Sequence, residues 1–245
     1  MNLMELNDPE KLEKVTREEL LQMISGMGQS MLERSRMEQK EKVRSYRDLN
    51  QRAVKGQILF TGSSLMEQFP VNEIAMSDGH SEIIYNRGIG GTNTDDFLEE
   101  IDTVLLDLKP SKLFINIGTN DMNERQDGKD WEEHLLDNYD KIMTIINERL
   151  PETKVYVMAY YPVNPEVNPQ MAAYMLRTRT NEAVNRVNGE VRKLAEKHGF
   201  EYIDVNDGIK DEEGKLRSDL SKEGMHMYAA AYQIIYDALK PYLWD

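Results

Sequence analysis

The sequence predicts an α/β domain with a five-stranded parallel sheet and helices on both faces. From residue 57 onward, short runs rich in β-branched and aromatic residues alternate with longer segments of helical periodicity. The runs at residues 113–115 and 155–158 are apolar without polar alternation, which is typical of strands buried on both faces. Strand–helix alternation of this kind favours parallel strands joined by right-handed crossovers.

Each element follows from its own pattern. The predicted strands are residues 58–60, 82–85, 112–117, 154–159 and 201–205, and the predicted helices are 95–108, 129–149, 171–198 and 228–242. Residues 56–245 would form this domain, and residues 1–55 a helical N-terminal extension. A capping box at Thr16 and Glu19 starts the extension's main helix. Gly26 and Gly28 weaken this helix or divide it in two.

The composition excludes several classes of function. The chain of 245 residues has no cysteine, which rules out thiol catalysis, cysteine-ligated zinc and disulfides. A formal net charge of −14 disfavours non-specific binding to nucleic acid. No apolar run approaches the roughly 18 residues of a membrane span, and the first residues lack a signal-peptide pattern, so we expect a cytoplasmic protein. No metal-ligand spacing and no phosphate-binding loop motif is found.

Four polar segments are expected at the edge where ligands bind in a parallel sheet. Three follow the first three predicted strands, and the fourth comes just before the last predicted helix. The four segments are Gly62-Ser63-Ser64, Asn86-Arg87-Gly88-Ile89-Gly90-Gly91, Gly118-Thr119-Asn120-Asp121 and Glu223-Gly224-Met225-His226. Ser64 is displayed at the end of a buried strand, as a nucleophile must be. Among the four histidines, only His226 lies in such a loop with a carboxylate three residues before it. An imidazole, with an unperturbed pKa of about 6.5, suits the task of activating a hydroxyl.

Together these segments resemble the sequence blocks of the SGNH hydrolase superfamily, the GDSL esterases and lipases. The branch with platelet-activating-factor acetylhydrolase catalytic subunits and carbohydrate acetylesterases is the most similar, and the resemblance covers about residues 57–242. It implies a three-layer, flavodoxin-like α/β/α fold and a serine esterase. It further implies that Ser64 is the nucleophile, that His226 is the base, and that the Ser64 and Gly91 N–H groups and the Asn120 amide form the oxyanion hole.

Two positions depart from the family pattern. Ser63 replaces the aspartate of the first block, which is not a triad member. Glu223 replaces the triad aspartate and is one methylene longer. Glutamate serves as the third triad member in other serine hydrolases. If the reach of Glu223 is wrong, a backbone carbonyl or Asp219 would orient His226 instead.

The substrate pocket is predicted from position alone. Ser63 lies beside the nucleophile, and Tyr161 and Pro162 begin a stiff loop of prolines and aromatics after the fourth strand. This loop is either one wall of the pocket or a connector without substrate contact.

The sequence therefore predicts hydrolysis of short-chain carboxylic esters, acetyl esters first, through an acyl-enzyme on Ser64. The resemblance points to a carbohydrate acetylesterase without metal or organic cofactor. A lysophospholipase or thioesterase of the same superfamily, or a flavodoxin-like binding module disabled by the Glu223 change, are the alternatives. The partner expected is a small-molecule ester. The basic N-terminal extension either packs as a solvated helix on its own acidic domain or binds an anionic surface or a second copy of the chain. The alcohol part, the acyl length and the oligomeric state stay open.

Overall fold

The computed structural model describes residues 16–125 and 127–245, so the first 15 residues of the predicted extension lie outside the described residues. The chain divides into two compact units, Met1–Glu41 and Lys42–Asp245. The boundary predicted at residue 55 stays a prediction.

Helix α1, Arg17–Asn50, begins at the predicted capping box. The Glu19 amide donates to Thr16 Oγ1 at 3.2 Å, and the Thr16 amide donates to Glu19 Oε2 at 2.9 Å. The helix continues through both glycines, so the alternative of two separate helices is wrong. Glycine costs a helix only about 1 kcal/mol relative to alanine, which the good helix formers on either side offset. The last turns of α1, residues 42–50, belong to the second unit.

The second unit is built on a parallel sheet, and the prediction of five strands is confirmed among the described residues. The strands are β1 Ile58–Gly62, β2 Ile84–Asn86, β3 Lys112–Asn116, β4 Lys154–Met158 and β5 Glu201–Ile203, in the order β2-β1-β3-β4-β5. The strand order reverses between β1 and β3, and ligands bind at such a switch point. The loops that begin with Ser64 and end with Asn120 leave the sheet there.

Helices cover both faces of this sheet, as predicted. They are α2 Ser64–Glu67, α3 Val71–Ser77, α4 Thr94–Glu99, α5 Ile101–Val104, α6 Trp131–Arg149, α7 Pro169–Met175, α8 Asn181–His198 and α9 Ala229–Leu243. One apolar core joins α4, α5, α6, α8 and Val43 of α1 to the sheet. A second core joins α2, α3 and α9 to the opposite face. No helix of the described residues is long and apolar enough to cross a membrane.

The structure corrects three predicted elements. The helix predicted over 171–198 is two helices, because Thr180 accepts a hydrogen bond from the Ala183 amide at 3.2 Å and so caps a new start. The helix predicted over 95–108 is divided into α4, α5 and a short 3₁₀ turn, Leu106–Leu108. The strand predicted at 82–85 is shifted to Ile84–Asn86, and α3 was not predicted.

Candidate active site

Ser64 is placed by a close contact between two strands. Gly62, the last residue of β1, has φ +149°, and a Cβ there would lie 1.9 Å from the carbonyl oxygen of Asn116 on β3. Only glycine lets the strands approach this closely while the chain turns. Ser63 follows as the N-cap of α2, and its amide donates to the same Asn116 oxygen at 3.3 Å. Ser64 is thus the first residue of α2, at the carboxyl edge of the sheet.

The structure brings the three predicted triad residues together. Ser64 Oγ lies 2.9 Å from His226 Nε2. On the other side of the ring, Glu223 Oε1 lies 2.6 Å from His226 Nδ1. The same oxygen accepts the His226 backbone amide at 2.9 Å. Glutamate therefore reaches the ring, and the alternative partner Asp219 is bound to Arg217 instead, at 2.7 Å.

The loop that carries His226 is held by the segment after β4. Gly224, at φ +105°, packs against this segment, and a Cβ there would lie 2.3 Å from the Asn164 carbonyl oxygen. The Gly224 carbonyl accepts the Asn164 amide at 2.7 Å, and its own amide donates to Ser221 Oγ at 2.7 Å. These contacts fix the distance between Glu223 and His226 along the turn.

The two other predicted oxyanion residues line the same cleft as Ser64 and His226. Asn120 lies in a 3₁₀ turn, Thr119–Asp121, directly after β3. Its Nδ2 donates to the Thr92 carbonyl at 2.8 Å, and its Oδ1 accepts from Arg179 Nη2 at 3.4 Å. The second proton on Nδ2 is left for a ligand. Gly91 reaches the cleft from the loop after β2.

The glycine-rich loop after β2 is tied to the helix that begins with the nucleophile. Glu67, at the end of α2, accepts the Gly90 amide and forms an ion pair with Lys42 of α1. One turn further along α1, the Tyr46 hydroxyl donates to the Gly88 carbonyl at 2.9 Å. The position of the neighbouring Gly91 amide therefore depends on α1 and α2 together.

A buried carboxylate lies directly behind Asn120. Asp121 is 9% exposed and accepts hydrogen bonds from the amide and the hydroxyl of Thr94. Burial raises the pKa of Asp121 from 3.8 to about 6, although the Thr94 hydrogen bonds oppose this shift.

The cleft has a volume of about 700 Å³. Its lining residues are Ser64, Gly91, Asn120, Asn123, Glu124, Ala173, Tyr174, Met175, Arg177, Arg179, Met225 and His226. The predicted pocket residues Ser63, Tyr161 and Pro162 are buried beneath this surface and do not line it, which corrects that prediction. The wall is formed instead by α7 and the segment that follows it. No motif marks that segment in the sequence, since it was predicted to be the first turns of the helix 171–198.

Among residues 16–125 and 127–245, no group of three or more histidine, aspartate or glutamate side chains could hold a metal ion.

Comparison with known proteins agrees with this arrangement. The sequence profile of the GDSL-like lipase/acylhydrolase family matches residues 67–234. A solved structure from Streptococcus pneumoniae, provisionally described as a platelet activating factor, is 32% identical. It has a TM-score of 0.78, over 89% of this chain and 99% of that one.

Two more distant proteins are also similar. The human platelet-activating factor acetylhydrolase IB subunit alpha2 is 24% identical over 71% of this chain and 70% of its own length. An acetylxylan esterase from Geobacillus stearothermophilus has the same fold, with 17% identity and a TM-score of 0.55 over 78% of this chain and 96% of that one. The chain therefore belongs to the GDSL-like lipase/acylhydrolase family and is a serine hydrolase that acts on ester bonds.

Proposed function

We propose that this enzyme hydrolyses short-chain carboxylic esters, in particular acetyl esters of carbohydrates, with Ser64 as its nucleophile. The observation that supports this most directly is the hydrogen-bonded chain from Ser64 Oγ through His226 to Glu223, with distances of 2.9 and 2.6 Å. Gly91 and Asn120 lie in the same cleft, where the carbonyl oxygen of an ester would be bound.

In the first half of the reaction, Ser64 Oγ attacks the ester carbonyl while His226 Nε2 takes the hydroxyl proton. Glu223 accepts a hydrogen bond from the Nδ1–H group, which fixes the ring tautomer and stabilises the imidazolium that forms. The charge that develops on the carbonyl oxygen is stabilised by the amides of Ser64 and Gly91 and by Asn120 Nδ2. Each such donor contributes on the order of 3 kcal/mol.

The tetrahedral intermediate then collapses, and the bond between its central carbon and the oxygen of the leaving alcohol breaks. His226 gives its proton to the leaving alkoxide, so the alcohol departs neutral and an acyl-Ser64 ester remains. Water then attacks this ester while His226 takes one of its protons. Breakdown releases the carboxylic acid and returns the proton to Ser64 Oγ.

The lining of the cleft favours a small acyl group on a polar alcohol. A long acyl chain needs a continuous apolar channel, whereas Asn123, Glu124 and Arg177 place polar groups along this wall. Tyr174 is 87% exposed at the same wall and offers an aromatic face against which a sugar ring can pack. One of the structural relatives is named an acetylxylan esterase, which agrees with such a substrate.

The nucleophile is tested with a fluorophosphonate probe and a p-nitrophenyl acetate assay. Ser64→Ala should abolish labelling and reduce kcat by about 10⁴-fold or more, as in other serine triads. Ser63→Ala is the matched control, because the Ser63 hydroxyl is adjacent in sequence but buried and lines no part of the cleft. Full activity in Ser64→Ala would end the assignment.

The substrate class is tested with p-nitrophenyl esters from acetate to decanoate, run beside acetylated xylose and xylan oligomers. We expect kcat/KM to fall beyond butyrate and the acetylated sugars to be deacetylated. A maximum at octanoate or decanoate would instead indicate the lysophospholipase or thioesterase alternative.

Two further expectations remain proposals. We infer self-association through residues 1–55 and a cytoplasmic location from the sequence alone. Sedimentation of the full chain against a chain that starts at Met37 tests the first, and cell fractionation tests the second.

A further inference from the structure

The cleft contains a buried positive charge that the triad chemistry does not use. Arg179, between α7 and α8, is 4% exposed. Its Nη1 lies 2.6 Å from the thioether of Met225, its Nη2 lies 3.4 Å from Asn120 Oδ1, and its Nε has no hydrogen-bond partner. Within the part of the chain that the structure describes, no carboxylate forms an ion pair with it. Burial lowers the pKa of Arg179 to about 10, so the group is still a cation at neutral pH.

Such a charge is costly to the folded protein. Buried cations are normally paired with an anion and fully hydrogen-bonded, and a thioether is only a weak acceptor. Asp121 acts on Arg179 through its charge but does not touch it. The guanidinium is therefore incompletely neutralised in the free enzyme, and it lines the cleft in which the reaction develops an anion.

The contact with Arg179 orients the side-chain amide of Asn120. A guanidinium has five N–H donors and no acceptor, so only the oxygen of the Asn120 amide can face it. With Oδ1 on the arginine, Nδ2 points the other way, where it donates to Thr92 and presents its second proton to the cleft. A cation behind the amide oxygen also polarises the amide, which strengthens that N–H as a donor.

We propose that Arg179 is a positioning residue of the oxyanion hole, which fixes and polarises the Asn120 amide. The inference rests on the proposed esterase function. It places the benefit of Arg179 in the transition state rather than in substrate binding, because the oxyanion that the polarised amide stabilises exists only there. Replacing Arg179 should therefore change kcat and leave KM nearly unchanged.

The competing interpretation is that Arg179 binds a carboxylate of the substrate. Two pairs of esters separate it from the proposal. On the alcohol side, 2-acetoxybenzoate is compared with its methyl ester. On the acyl side, the mono-p-nitrophenyl ester of succinate is compared with p-nitrophenyl butyrate. If Arg179 bound a carboxylate of the substrate, Arg179→Met would reduce kcat/KM much more for each charged ester than for its neutral partner.

The experiment compares Arg179→Met, Arg179→Lys and wild type on p-nitrophenyl acetate. Methionine keeps much of the apolar stem and removes the charge, and we expect kcat to fall about 10- to 100-fold, as when a reacting group is misplaced by a fraction of an ångström to 1 Å. Lysine keeps the charge and should restore part of the lost kcat. Arg149→Met, at an exposed arginine of α6 paired with Asp102, is the matched control and should match wild type.

Two readouts exclude a merely structural role. The Tm of Arg179→Met should equal or exceed that of wild type, because an incompletely paired buried charge has been removed. In a double-mutant cycle, Asn120→Ala combined with Arg179→Met should be no slower than Asn120→Ala alone, since the arginine acts through that amide.

Any of four results overturns the proposal: an unchanged kcat in Arg179→Met, a change confined to KM, selective loss of the charged esters, or additive losses in the cycle. If Arg179→Met does not fold, the lysine variant decides, because a kcat equal to that of wild type without the Nη2 contact to Asn120 would reject the proposal. Loss of activity in Ser64→Ala with an unaffected Arg179→Met rejects only this inference. Full activity in Ser64→Ala rejects the esterase mechanism as well.

Discussion

The carboxylate of Glu223 binds His226 at two atoms, the ring Nδ1 and the backbone amide. The second contact curls the turn so that a side chain one methylene longer than aspartate still meets the ring edge-on. Glu223→Gln would place an amide against Nδ1 and favour the wrong tautomer. We expect kcat to fall about 10³- to 10⁴-fold at constant KM, as for the corresponding change in other triads.

Steady-state kinetics on p-nitrophenyl acetate measure this loss. Glu223→Asp is the informative companion, because the shorter side chain keeps the charge and loses the reach. A Glu223→Gln variant within tenfold of wild type would show that another group orients the imidazole.

Asp121 makes the stability of the fold depend on pH. Since burial raises its pKa from 3.8 to about 6, the folded chain binds more protons than the unfolded chain between about pH 4 and pH 6. Stability therefore falls as the pH rises through this window, and by pH 7 the loss is about 3 kcal/mol, at 1.36 kcal/mol per pKa unit.

Asp121→Asn removes this dependence and keeps an oxygen for the Thr94 donors. Between pH 5 and pH 7.5 wild type loses about 1.4 kcal/mol of this free energy, so we expect the Tm of the variant to rise relative to that of wild type by about 3 to 6 °C over this range. Thermal melts of both proteins across this range measure the gap. A gap that is constant with pH would show that Asp121 is ionised throughout.

At the scale of single residues, the sequence predicted what has a local signature. Ser64 follows a buried strand, His226 lies in the loop before the last helix, and both are residue types that nucleophilic catalysis needs. Arg179 carries no such signature, because its role depends on which amide happens to lie beside it after folding. Ser63 and Tyr161 were placed in the pocket by their neighbours in sequence, but both are buried, and Tyr161 packs in the second apolar core.

Among the elements, the last turns of α1 and the end of α2 jointly hold the loop of Gly91. Glu67 is the connection, since it binds both Lys42 and the Gly90 amide. Glu67→Ala should misplace the loop and reduce kcat about 10- to 100-fold with little change in KM. Glu73→Ala, at an exposed position of α3, is the control measured in the same assay. Wild-type kcat in Glu67→Ala would mean that the loop holds its own conformation.

The strands were easier to predict than the helices. Burial on both faces gives a strand an uninterrupted apolar run, so the central strands β3 and β4 were identified to within a residue or two. Helix breaks such as the one before Thr180 are decided by caps and by tertiary contacts. Threonine is compatible with a helix interior, and only the fold shows that Thr180 caps the start of a new helix.

For the whole molecule, activity and stability should depend on α1 only from Lys42 onward, where the second compact unit begins. The residues from Lys42 onward belong to the compact unit that contains the cleft, and Val43 and Asn50 are buried in it. A chain that starts at Met37 should keep wild-type kcat, whereas a chain that starts at Gln51 should lose several kcal/mol of stability, as for large core deletions.

Activity and thermal melts of the two truncated chains measure this difference. Equal stability of both would show that the last turns of α1 contribute nothing to the domain. The fold class itself was predictable because it depends on the alternation of strands and helices over the whole chain. One misplaced element boundary does not change that alternation.

His226 lies 162 residues after Ser64 along the chain. During synthesis on the ribosome, the hydroxyl emerges long before the imidazole exists. A nascent or partly refolded chain therefore holds an inert serine, and catalysis switches on only when the C-terminal helix α9 docks and carries its preceding loop over the sheet. Recovery of esterase turnover should consequently be the last signal to return in a refolding experiment.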